Sequence, residues 1–207
     1  MKIYLNNTPC QFTNSKTKRA IDYIQAAMAS RCKPNSENGI HNITVIVNNN
    51  SLLDSKQWKL RLGDRELKVA TLSSDAKSTF KNVHEFLGHT STIKKPDELV
   101  DVLVMCNNYV RDKDIYEICD CLRNQRISFT NIGIHKIELT VMYDEVDVPS
   151  NLNNACKFIK YCGDNGFKFI ESIHLITATP FQKFWKKLKE ITNIISLDTF
   201  NDMITIP

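Results

Sequence analysis

The chain has 207 residues, 42% of them hydrophobic and 24% charged, with a net charge of +4. That length suits one large domain with a substantial core, so neither a disulfide nor a metal staple is required, and the ordinary composition excludes a disordered or fibrous chain. The mild positive charge permits contact with nucleic acid without arguing for it.

Seven cysteines, with no apolar run resembling a leader after Met1, point to free thiols in a reducing compartment, cytoplasmic or nuclear. No run approaches the roughly 18 apolar residues of a membrane span, so no membrane partner is expected. Cys106, Cys119, Cys121, Cys156 and Cys162 form no Cys-x-x-Cys pair, and buried core thiols are the expectation.

In chain order, apolar runs alternate with amphipathic stretches. Lys2 to Leu5 reads as a short strand, and residues 17 to 31 as a helix with Ala20, Ile21, Ile24, Ala27 and Met28 on one side. Asn42 to Val47 reads as a strand, Leu52 to Leu62 as a helix, and Leu67 to Leu72 as a strand. Asp75 to Leu87 is predicted helical, with Phe80, Val83 and Leu87 in phase, followed by a polar loop from Gly88 to Pro96. Val100 to Cys106 is the clearest strand, then Asp112 to Leu122 a helix. Ile137 to Tyr143 reads as a strand, residues 151 to 162 as a helix, Ile173 to Thr177 as a strand, and Phe181 to Ile191 as a basic amphipathic helix. Such alternation predicts βαβ units and a mainly parallel sheet, with chemistry in the loops after the strands.

Three of those loops carry candidate chemistry. The strand from Ile137 runs out into Asp144-Glu145-Val146-Asp147. A carboxylate fixed on a strand end suits a hard cation, and a second beside it suits orienting a water. The plainer reading is an acidic turn. The strand His174-Leu175-Ile176 ends in Thr177-Ala178-Thr179-Pro180, two hydroxyls around a small residue. Near the N-terminus, Cys10-Gln11-Phe12-Thr13-Asn14-Ser15-Lys16-Thr17 lies between a strand and a helix, the place of a phosphate loop. Lys16 and Thr17 match that pattern, whereas Cys10 and Ser15 stand where it has glycine. Glycine there lets backbone amides wrap phosphate without a Cβ in the way. Nucleotide binding is thus expected to be weak or absent.

Taken in this order, the motifs resemble the first RecA-like motor domain of superfamily 2 helicases of the DEAD/DExH kind. Asp144-Glu145-Val146-Asp147 is similar to the Walker B sequence, and Thr177-Ala178-Thr179 to the motif that couples nucleotide to nucleic-acid movement. The resemblance implies a three-layer α/β RecA-like (P-loop NTPase) domain over residues 1–182. Residues 183–207 would form a C-terminal helix and tail leading toward a second RecA-like domain, supplied in cis or trans. It implies ATP and magnesium as ligands: Ser15, Lys16, Thr17 and Asp144 at the nucleotide, Thr17 and Asp144 on the metal, Lys16 and Glu145 as catalytic groups. It also implies nucleic acid, DNA or RNA, as a partner. Asn49 and Ser51 after the second strand, and Asn107, Asn108 and Arg111 after the strand ending at Cys106, are the candidate contacts. The chain is expected to be the ATP-binding half of a helicase or nucleic-acid-dependent ATPase, a fragment or degenerate form with little NTP hydrolysis alone. The alternative is a non-catalytic pseudo-ATPase module that binds nucleic acid or a protein partner.

Overall fold

A computed structural model describes residues 1–7, 20–26, 39–48, 52–63, 67–107, 109–124, 132–146, 148–177, 186–187, 190 and 205–206. The strands are β1 (Lys2–Asn7), β2 (Ile40–Asn48), β3 (Val69–Leu72), β4 (Val102–Cys106), β5 (Lys136–Tyr143), β6 (Ile170–Thr177) and β7 (Thr205–Ile206). The helices are α1 (residues 20–26), α2 (Leu52–Gly63), α3 (Val83–Thr92), α4 (Tyr109–Arg123) and α5 (Pro149–Asn165). The strands form one sheet in the order β3-β4-β2-β5-β6-β1-β7. Every pairing is parallel, as the alternation predicted.

A parallel sheet must be covered on both faces, and its strands then read as near-continuous apolar runs. In β4 all five residues, Val102–Cys106, are buried. Alternate side chains go to opposite layers. Ile43, Val45, Val47, Leu103, Met105, Val141, Ile173 and Leu175 pack with Val83 and Phe86 of α3, Ile115 and Ile118 of α4, and Phe158 and Ile159 of α5. Ile46, Val102, Val104, Met142 and Ile176 pack with Ile21 and Ile24 of α1 and Trp58 and Leu62 of α2. The result is a three-layer α/β domain, consistent with the RecA-like expectation. The layers also fit a single hand of crossover. The connections through α1 and α2 step one way along the sheet, and those through α3, α4 and α5 step the other way.

The segment 75–92 departs from the predicted helix of Asp75 to Leu87. Asp75 instead accepts from the amide of Lys77 at 2.8 Å, closing a local turn. Thr79 and Thr71 exchange side-chain bonds with each other's backbone amides at 3.1 and 3.0 Å. Phe80 then pairs with Leu72 as an isolated parallel bridge along the outer edge of β3. The helix starts only after Asn82, whose side chain accepts from the amide of Glu85 at 2.9 Å as an N-cap. It runs on through Gly88 to Thr92, into the stretch expected to be loop.

The five cysteines named above are buried free thiols, in agreement with the sequence reading. Burial pushes Cys156 and Cys162 up to about 12 and Cys119 well above its ordinary value, which disfavours the thiolate that metal binding needs. Among the described residues no cluster of His, Cys, Asp and Glu is arranged to hold a metal, and no helix is long and apolar enough to cross a membrane.

Candidate functional site

Parallel strands send their following loops out of the same edge, and register decides whether those loops meet. Asn7 pairs with Thr177, Tyr143 with Leu175, Val47 with Tyr143, and Asn48 with Cys106. The ends of β1, β6, β5, β2 and β4 therefore lie level along one edge. β6 stands between β1 and β5. The strand leading to the candidate phosphate loop, the strand ending at Thr177 and the strand ending at the acidic pair are thus consecutive neighbours.

The acidic turn is pinned on both sides. The Asp144 amide donates to the Val47 carbonyl of β2 at 2.9 Å, and the Val146 amide to the Ile176 carbonyl of β6 at 3.1 Å. Between them Glu145 has φ +52°, the left-handed region that a residue with a Cβ seldom occupies, and no other described non-glycine residue has a positive φ. Backbone strain of this kind costs roughly 1–3 kcal/mol and persists only where the surroundings enforce it. The Glu145 amide donates to Asp144 Oδ1 at 2.9 Å, so the carboxylate folds back over its own turn.

The other Asp144 oxygen, Oδ2, accepts from the indole Nε1 of Trp58 at 3.2 Å. Trp58 is buried on α2, in the layer that faces Met142 and Ile176. Asp144 is itself 9% exposed, at the margin of burial. A carboxylate oxygen is the kind of ligand that a hard cation such as magnesium takes.

Asn151, in the first turn of α5, clamps the same turn. Its Nδ2 donates to the carbonyls of Asp144 at 3.1 Å and Glu145 at 3.2 Å. Its Oδ1 accepts from Asn107 Nδ2 at 2.7 Å, and Asn107 Oδ1 accepts from Asn154 Nδ2 at 2.6 Å. Asn151 is 1% exposed, so its side-chain amide would be buried unpaired without the two carbonyls it reaches, at a cost of about 1–3 kcal/mol for an unsatisfied group.

Of the candidate residues, Asp144, Glu145 and Thr177 gather at the edge, with Thr177 fully buried. Asn107 is buried in the Asn151 network. Arg111 is buried on α4, its guanidinium 2.7 Å from Asp114 and 2.5 Å from the Lys81 carbonyl. Ser15, Lys16, Thr17, Asn49, Ser51, Asn108, Ala178 and Thr179 lie outside the described residues.

Sequence reasoning missed Trp58, Asn151 and Asn154. The helical phase of Trp58 with Leu62 marks it as core, but its bond to Asp144 spans 86 residues and leaves no local trace. An Asn run at the start of a helix reads as polar helix entry. The one local signal is Pro149 at the first helical position, which fixes where α5 begins relative to the acidic pair.

Beneath the edge, His174 of β6 stacks on Tyr4 with ring centroids 4.7 Å apart and packs against Tyr23 of α1 at 4.2 Å. Its Nε2 lies 3.0 Å from Ser172 Oγ, itself 3.1 Å from the Tyr23 hydroxyl. Burial pushes the imidazole down to about 3, so it is neutral at ordinary pH. In comparisons with known proteins, no family model and no curated sequence matches this chain.

Proposed function

We propose that the domain is the nucleotide-binding motor half of a nucleic-acid-dependent ATPase of the superfamily 2 helicase kind. The observation that carries this reading is the register of β1, β6 and β5: Asn7 pairs with Thr177, and Tyr143, just before Asp144, pairs with Leu175, so the three strands finish at one carboxyl edge. That arrangement supports the reading, because a phosphate loop and a metal-binding carboxylate must meet at one nucleotide and a coupling motif must adjoin them.

In this reading Lys16 and the amides of the helix that follows it bind the β- and γ-phosphates, and Thr17 and Asp144 hold magnesium. Magnesium, when bound, offsets charge on the phosphates. Glu145 orients water, and Trp58 holds the Asp144 carboxylate in one rotamer. Nucleic acid is the partner whose binding the ATP cycle serves. A second RecA-like domain, in cis or trans, completes the site; arginine fingers of the sort it brings are worth about 10³–10⁵ in rate. The isolated chain therefore binds ATP weakly and turns it over negligibly.

The test is calorimetric titration of magnesium-ATP into the wild type, Lys16→Ala and Ser15→Gly, with phosphate release measured in parallel. The reading requires binding that Lys16→Ala abolishes and Ser15→Gly tightens, because glycine takes a Cβ away from a segment whose amides must wrap phosphate. Absence of binding in all three proteins would leave Asp144 and Glu145 as structural residues and favour the pseudo-ATPase alternative.

A further inference from the structure

The carboxylates of the acidic turn can act only if the turn holds its shape, and that shape is an unfavourable one. Glu145 sits at φ +52°. The ladder bonds of Asp144 and Val146 fix the two flanks of the turn, while the carbonyls of Asp144 and Glu145 are held by a single side chain, Asn151, at 3.1 and 3.2 Å. The Glu145 carbonyl also accepts from the Val148 amide at 3.0 Å, which closes the link into α5.

Asn151 is chemically suited to this place. An amide offers two donors and a carbonyl oxygen, and here the donors face two consecutive carbonyls while the oxygen takes the Asn107 amide at 2.7 Å. Aspartate has the same shape but no donor, and leucine has neither function. Asn107 is in turn fixed at both ends. Its backbone amide donates to the Asn48 carbonyl at 2.8 Å, and its side-chain oxygen takes Asn154 Nδ2 at 2.6 Å. The chain of bonds runs from the end of β2, through the end of β4 and the first turn of α5, to the acidic pair. Fully satisfied buried networks of this kind rigidify what they touch.

We infer that Asn151 is a positioning residue for the acidic pair: anchored by Asn107, it holds the Asp144–Glu145 turn in the conformation in which Asp144 binds magnesium. The inference rests on the nucleotide reading above, because it concerns the metal-dependent part of nucleotide binding. Among the described residues, Asn151 bonds the backbone of the turn that carries the proposed metal-binding carboxylate. Its loss therefore acts on the metal-dependent increment and not on the affinity for metal-free nucleotide.

The experiment measures ATP affinity of the full chain by calorimetry, once in saturating magnesium and once in EDTA, for wild type, Asn151→Ala, Asn107→Ala and Leu152→Ala. One bound ligand typically changes the affinity for a second, coupled one by about 5–150-fold, and the wild type is expected to show a gain in that range from magnesium. Asn151→Ala should lose most of it, with its EDTA affinity within about twofold of wild type. Asn107→Ala, which removes only the anchor, should lose most of the gain too and serves if Asn151→Ala does not fold. Leu152→Ala truncates the neighbouring core residue and should keep the gain, which separates positioning from general destabilisation. A full magnesium gain in a folded Asn151→Ala or Asn107→Ala protein overturns the inference and leaves the nucleotide reading standing. No ATP binding by the wild type overturns both.

Discussion

The indole Nε1 of Trp58 donates to Asp144 Oδ2 across 3.2 Å, joining the buried face of α2 to the carboxylate at the end of β5. A hydrogen bond to a charged acceptor is worth about 1.5–3 kcal/mol, so Trp58→Phe should lower stability by about 2 kcal/mol in urea denaturation. The same contact makes Trp58 a reporter. The chain has two tryptophans, and Trp185→Phe leaves Trp58 alone. In that background magnesium-ATP should shift the emission, and Asp144→Asn should abolish the shift. Emission that ignores magnesium-ATP under conditions where calorimetry detects binding would place the metal away from Asp144.

Arg111 carries a different expectation from the one its position in sequence suggests. Its guanidinium pairs with Asp114 at 2.7 Å, with the two side chains 7% and 10% exposed, and it also donates to the Lys81 carbonyl. Removing one partner of a buried ion pair leaves the other charge uncompensated, at roughly 3–5 kcal/mol. Arg111→Ala should therefore cost several kcal/mol in thermal or denaturant unfolding before any effect on nucleic acid is considered. Loss of nucleic-acid binding with wild-type stability would show that the side chain leaves Asp114 for a phosphate.

His174 gives the domain an acid limb. Its folded value of about 3 lies below the ordinary 6.5 of an unfolded histidine. Below pH 6.5 the unfolded chain takes up a proton that the native state refuses. The stability this group confers is thus fully present above pH 6.5 and is lost as pH falls toward 3, with a slope near 1.4 kcal/mol per pH unit at most. His41, lowered chiefly by burial, acts in the same direction. His174→Gln removes one titrating group and should flatten the profile of unfolding free energy between about pH 6 and pH 4. Identical slopes for the two proteins in that window would mean that His174 is accessible to protons in the folded state.

The sheet was largely legible from sequence because its strands are buried on both faces. Val102–Cys106, Lys136–Tyr143 and Ile40–Asn48 fall within a few residues of the apolar runs that predicted them. β6 begins at Ile170, earlier than the predicted Ile173, because Glu171 and Ser172 read as polar; Ser172 is in fact buried against His174. Segment 75–92 was misread because Phe80 and Val83 are apolar in either conformation, and the competing turn bonds of Asp75 and Thr79 have no periodicity to detect. At the site, the acidic pair was visible as charge ending a strand. Its supports were not, since Trp58 and Asn107 reach it, one directly and one through Asn151, from distant strands and helices that only the folded sheet brings together.

Glu145 allows strain and chemistry to be separated. At φ +52° any side chain with a Cβ is disfavoured, whereas glycine is not. Glu145→Ala removes the carboxylate and its contacts but keeps the strain; Glu145→Gly removes both. The difference between the two variants isolates the backbone term. Glycine gains by relief at this φ and loses through its freer unfolded chain, and at positive φ the relief is the larger effect. Glu145→Gly should therefore be more stable than Glu145→Ala by about 1 kcal/mol, measured by urea denaturation without nucleotide. If the turn is held strained so that its carboxylates face a metal and a water, both variants should lose whatever ATP turnover a complete two-domain assembly shows, and the extra stability of the glycine variant should not restore it. A glycine variant less stable than the alanine one would show that the turn relaxes out of the left-handed region in solution. The site would then lack the enforced geometry on which its proposed chemistry depends.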